Sequence, residues 1–96
     1  MSIVLVGGHD GLHKKYKGIG NKFGHKMKVF TQMPSKFDKI IGNPDGIVLF
    51  TSTVSHKMVY IAVKESRRKG IPMIRCHNSS INSLERSIKE LEASIG

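Results

Sequence analysis

The sequence is short of three things: cysteine, long apolar runs and acidic residues. One cysteine, Cys76, excludes an internal disulfide and fits a reducing compartment. No apolar run approaches the ~20 residues that a membrane helix needs, so no membrane partner is expected. The N-terminus has no basic segment leading into a long apolar one. A secretory signal is therefore not expected, and the expected location is cytoplasmic. Nor does any linker, repeat or low-complexity tract divide the chain. Its 96 residues fit one domain, 1–96, with a single modest core.

Acids are the third shortage. Seven Asp and Glu stand against sixteen Lys and Arg, a net charge of +9. The excess is uneven: residues 1–80 carry fourteen bases and four acids, whereas residues 81–96 carry two bases and three acids. Such a surface favours polyanions, anionic ligands or acidic partners. Its ordinary alternative is a solvated basic surface.

What is present alternates between two periods. "SIVLV" (2–6) and "GIVLF" (46–50) are continuous apolar runs, as expected of strands covered on both faces. "KMKVF" (26–30) alternates polar and apolar, and "IPMIRC" (71–76) carries Pro72; both suit edge strands. Between them lie helical spacings. Leu12, Tyr16, Ile19 and Phe23 mark a first helix, weakened by Gly18 and Gly20. A short one opens at Pro34 or Ser35 with Phe37, Ile40 and Ile41 inward. A third runs from about Val54 to Lys69 with Met58, Val59, Ala62 and Val63 facing in. The last is opened by a capping box at Asn82 and Glu85, and is lined by Leu84, Ile88, Leu91 and Ile95.

Strands alternating with helices imply a parallel sheet. With the most apolar strands central, the expected order is 2-1-3-4, a small three-layer α/β domain of Rossmann-like or flavodoxin-like form. The direction of winding reverses between strands 1 and 3, and such sheets hold ligands beyond the strand ends at that point.

Three of the five histidines share that edge. His9 follows the first strand, His56 opens the helix after the third, and His77 follows the fourth beside Cys76. Gly7 and Gly8 are read as leaving the first strand's end uncovered, so that a bulky group can approach the backbone. His13 and His25 fall outside the cluster and are read as surface residues. Imidazole and thiolate are ligands for zinc, copper and iron, including haem iron, so His9, His77, His56 and Cys76 form the candidate metal set. The spacing matches no zinc-finger pattern. A Cys76–His77 nucleophile pair is disfavoured, because adjacent strand residues point to opposite faces.

Phosphate chemistry has weaker support. "GGHDG" is neither G-x-G-x-x-G nor a Walker loop. "TSTVSHK" and "HNSSINS" place hydroxyls at helix starts, where they serve as caps or as anion contacts. "HKKYK", "HKMK" and "SRRK" are basic runs without an aromatic stacking stripe.

Three blocks, "IVLVGGHDGLHKKY", "FTSTVSHKM" and "IPMIRCHNSS", together resemble a bacterial family, domain of unknown function twenty-three twenty-five. The resemblance covers nearly the whole chain. Asp10 occupies the acidic place that commonly follows the first block's histidine in that family. It implies a cytoplasmic bacterial protein with a four-stranded α/β fold and, among the ligands the cluster permits, favours haem. The expectation is a binding or sensing domain rather than an enzyme. His9 and His77 lead as axial residues, with His56 next. Lys14, Lys57 and Arg75 are placed to pair with propionates, Met33 and Met58 supply apolar surround, and a homodimer closes over the site. The alternative is a phosphate-directed module for a nucleotide or nucleic acid.

Overall fold

The computed structural model describes residues 1–95. Its strands are β1 (Ser2–Val6), β2 (Lys26–Phe30), β3 (Gly46–Phe50) and β4 (Met73–Cys76). Its helices are α1 (His13–Lys22), α2 (Phe37–Ile40), α3 (His56–Lys69) and α4 (Ile81–Ile95), with a 3-10 turn at Asp10–Leu12. The four strands are parallel, in the order β2-β1-β3-β4. The expected fold and strand order are therefore those of the protein.

Burial follows the sequence pattern. The residues of β3 are all buried, as are the last four of β1, whereas β2 alternates and β4 is half-exposed. Strand periodicity splits the core into two layers. Ile3, Leu5, Val48 and Phe50 pack with Tyr16, Leu84, Ile88 and Leu91 from α1 and α4. Val4, Val6, Ile47 and Leu49 pack with Phe37, Ile41, Met58 and Ala62 from the α2 and α3 side. Crossovers of one hand that travel in opposite directions along a sheet must use opposite faces. That is why α1 and α2 lie on different sides. Gly20 is needed in α1 despite its cost to the helix, since a Cβ there would stand 2.8 Å from the Cβ of Met27 on β2.

Several boundaries differ from expectation. β4 begins at Met73, not Ile71; Ile71 turns into the core, and the Pro72 carbonyl instead accepts from the Ile47 amide. α1 starts only at His13, after the 3-10 turn. α2 is one turn entered through Lys36 in a left-handed conformation (φ 55°), and Ile40 points outward while Ile41 is buried. α3 begins at His56 because Ser55 caps it, accepting from the Met58 amide. α4 is opened by Ser80, which accepts from the Ser83 amide, so the capping role assigned to Asn82 is taken two residues earlier. Ile95 is exposed. No helix among the described residues is long and apolar enough to cross a membrane.

Candidate functional site

The parallel register sets the strand ends level. Val6 lies beside Phe30 and Leu49, and Phe50 lies beside Cys76. The loops after β1, β3 and β4 therefore leave the sheet at one edge. They are also tied to one another. The Gly7 amide donates to the Phe30 carbonyl at 2.8 Å. The Gly8 amide is shared between the Thr53 carbonyl at 3.1 Å and the Thr53 hydroxyl at 3.0 Å. The Ser52 hydroxyl donates to the His77 carbonyl. Tyr16, fully buried on α1, links the outer pair of loops: its hydroxyl accepts from the His9 amide at 3.2 Å and donates to the Ser79 carbonyl at 2.8 Å.

This closure corrects the reading of the glycines. Gly7 and Gly8 are buried, not open to a ligand. Both have φ of +98°, a conformation that disfavours side chains. A Cβ on Gly7 would lie 2.8 Å from the Phe50 carbonyl oxygen, and one on Gly8 2.8 Å from the Tyr16 ring. The space they leave is filled by the protein itself. Met58 likewise faces the core at 2 % exposure and lines no external site, whereas Met33 is exposed in the loop after β2.

The side chains divide differently from the backbone. His9, His56 and His77 are all exposed at or just beyond this edge, and Lys14, Lys57 and Arg75 are exposed as well. The hydrogen bonds of His9 and His77 run through backbone atoms, leaving their imidazoles to solvent. Asp10 is held by the Thr31 hydroxyl and the Gln32 amide, which keep its carboxyl below the usual carboxylate range. Cys76 is drawn the other way. Its thiol donates to the Asn78 carbonyl, and it packs toward α4 in a small cleft with Arg75, Ser83 and Arg86. Among the described residues, no three His, Cys, Asp or Glu side chains come together as a metal centre, so the four-donor set is not assembled within one chain.

The other two histidines are not simple surface residues. The His13 Nε2 lies 3.2 Å from the Val29 carbonyl. His25, whose side chain is 10 % exposed, has Nδ1 3.0 Å from the Met1 amino group and Nε2 2.7 Å from the Glu92 carboxylate.

One feature was not anticipated. The outer flank of α3 carries an open groove of about 520 Å³, lined by His56, Val59, Tyr60, Val63, Lys64 and Arg67. Val59 and Val63 were expected inward; they are half-buried and shared between core and groove. The signal was present in "MVYIAV" (58–63), six apolar residues in a row on a helix. Such a run cannot put all its members on one face.

No curated protein and no solved structure matches the chain. A family model does match over residues 2–91, which takes in every strand, the loops that carry His9, His56 and His77, and the groove on α3. The chain thus belongs to the family described as an uncharacterized protein conserved in bacteria, DUF2325.

Proposed function

We propose that this protein is a small cytoplasmic binding or sensing domain that holds haem through an imidazole at the carboxyl edge of its sheet. One observation carries the reading. Of five histidines, His13 and His25 are engaged in hydrogen bonds, and His9, His56 and His77 present exposed rings at the edge, where the loops are fastened to one another. A haem needs one axial nitrogen and not a closed set of donors, so the donors present fit it. His9 and His77 are the leading axial residues, and His56 is the third. Lys14, Lys57 and Arg75 supply charge for two propionates. The bound group would bring the redox and gas-binding chemistry of its iron; the protein's part is to orient the imidazole and neutralise the carboxylates. The edge has little apolar wall of its own, so a second copy closes over it.

Titration of the purified chain with hemin, followed by its Soret band, tests this. His9→Ala or His77→Ala weakens uptake, and the triple variant with His56→Ala abolishes it while the circular-dichroism spectrum is kept. Unchanged binding by the triple variant refutes the reading. The net charge of +9 supports a second reading, nucleic-acid binding through Lys14, Lys15 and neighbouring bases. Salt separates the two. With about six phosphate contacts, nucleic-acid affinity falls about a thousandfold between ~50 and ~200 mM salt, whereas an axial bond persists. Tight nucleic-acid binding at ~150 mM salt with no spectral response to hemin favours the second reading.

A further inference from the structure

We propose that the outer flank of α3 is a docking surface for an acidic amphipathic helix of a partner protein. The proposal is independent of the haem reading. It starts from spacing: His56, Val59, Tyr60, Val63 and Arg67 recur at steps of three and four and make one stripe along the helix. From His56 to Arg67 that stripe is about 16 Å long, at 1.5 Å per residue. Its middle is apolar, and Tyr60 at 66 % exposure stands further out of the protein than any other large hydrophobic side chain described. Among the described residues, nothing outside α3 lines it. The groove is a trough along a helix, and an apolar helix ridge fits such a trough at ordinary interhelical distances.

Charge selects the occupant. The groove is lined by His56, Lys64 and Arg67 and by no acid. The one acid of α3, Glu65, is turned inward at 4 % exposure and paired with Arg68 at 2.8 Å and Lys69 at 2.9 Å. Its charge is spent inside the protein, which leaves the flank cationic. A second copy is disfavoured in both orientations. Antiparallel pairing about Tyr60 sets His56, and no carboxylate, against Lys64; parallel pairing sets Lys64 against Lys64, two like charges. Like charges brought together in this way oppose association. A flat bilayer is a poorer match as well, because Val59 and Val63 lie half-buried and only Tyr60 projects far enough to insert. A helix with leucine-type residues at i, i+3, i+4 and i+7, flanked by Glu or Asp, fills the trough and pairs with Lys64 and Arg67.

The test uses the full chain without hemin and two dye-labelled peptides of about 18 residues, long enough to form a helix on docking. Both carry leucines at that spacing; one has glutamates elsewhere, the other lysines. Fluorescence anisotropy at ~150 mM salt reads the binding. The glutamate peptide binds and the lysine peptide does not. Tyr60→Glu, at an exposed position, weakens binding about tenfold or more. Lys64→Glu with Arg67→Glu abolishes it and lets the lysine peptide bind. Lys22→Glu with Lys26→Glu, also exposed but remote, changes it less than about twofold. Four results overturn the proposal: no binding of the glutamate peptide; equal weakening by the remote pair, which marks general charge attraction; preferential binding to phosphatidylglycerol vesicles that Tyr60→Glu removes; or a self-associating chain that Tyr60→Glu makes monomeric.

Discussion

The two ends of the sheet close by different means. At the amino end, ionisable side chains do the closing. The Met1 amino group, His25 and Glu92 form a chain of contacts, the Asp45 carboxylate accepts from the Ser2 amide at 2.7 Å, and Glu65 holds Arg68 and Lys69. At the carboxyl end, closure is made by backbone groups and by the hydroxyls of Ser52, Thr53 and Tyr16. Asp10 is the one acid fixed there, and His13 is tied to the Val29 carbonyl beside it. The difference teaches where a small protein can keep reactive groups. An end sealed mostly by hydroxyls and glycines leaves the imidazoles of His9, His56 and His77 unused, while an end sealed by histidine and carboxylates has none to spare.

The sharpest way to break the contrast is to open the carboxyl end. Gly7→Ala introduces a Cβ against the Phe50 carbonyl at a positive φ. Backbone strain and overpacking together cost about 3 kcal/mol or more. Urea denaturation reads this, and hemin uptake falls with it as the loops part. Tyr16→Phe is next. It removes the hydroxyl that accepts from His9 and donates to Ser79 and leaves the buried Ser79 carbonyl without that donor, at about 2 kcal/mol. A midpoint unchanged in both variants would show that the hydroxyl and glycine closure is incidental.

At the amino end the expected losses are smaller and depend on pH. Hydrogen bonds from Arg68 and then Lys69 lower the Glu65 carboxyl from its ordinary 4.5 to about 2. A lowered pKa in the folded state means that this stabilisation is complete above pH 4.5 and is lost as pH falls toward 2. Glu65→Gln therefore costs about 1 kcal/mol at neutral pH and flattens the loss of stability across that acid range. Equal acid sensitivity in the variant would refute it. The smallest effect sharpens the comparison most. His25→Ala lowers stability by about 1 kcal/mol or less. His9→Ala, His56→Ala and His77→Ala each stay within about 0.5 kcal/mol, because their rings are exposed. Thermal unfolding of the four variants checks the ranking.

Much of the fold was legible in the sequence because it depends on short-range pattern. Continuous apolar runs marked β1 and β3 as central, and Pro72 with the alternating "KMKVF" marked the edges. The strand order then places His9, His56 and His77 at one edge. What the pattern could not show were contacts across long sequence separations. Gly7 and Gly8 read as openings because Phe50, Thr53 and Val54, which crowd Gly7, lie more than forty residues away, and Tyr16 covers Gly8 only once α1 has docked. His25 read as a surface residue because its partner, Glu92, is 67 residues away. The flank of α3 was missed for another reason. "MVYIAV" suggests a helix covered on several sides, but the other helix on that face, α2, is a single turn and cannot cover fourteen residues.

The central place of β1 bears on how the chain is made. Synthesis delivers "SIVLV" before the other three strands, but one of its two partners, β3, begins more than forty residues later, with Ile3 beside Gly46. Until then β1 can pair only with β2, an edge strand, and one side of an apolar strand stays bare. No half of this sequence is a stable half of the protein. Pairing of distant parallel strands is intrinsically slow, and unpaired strand edges invite association. The nascent chain is therefore committed late: β3 covers the bare side of β1, and β4 with α4 then completes the core and the edge that bears His77.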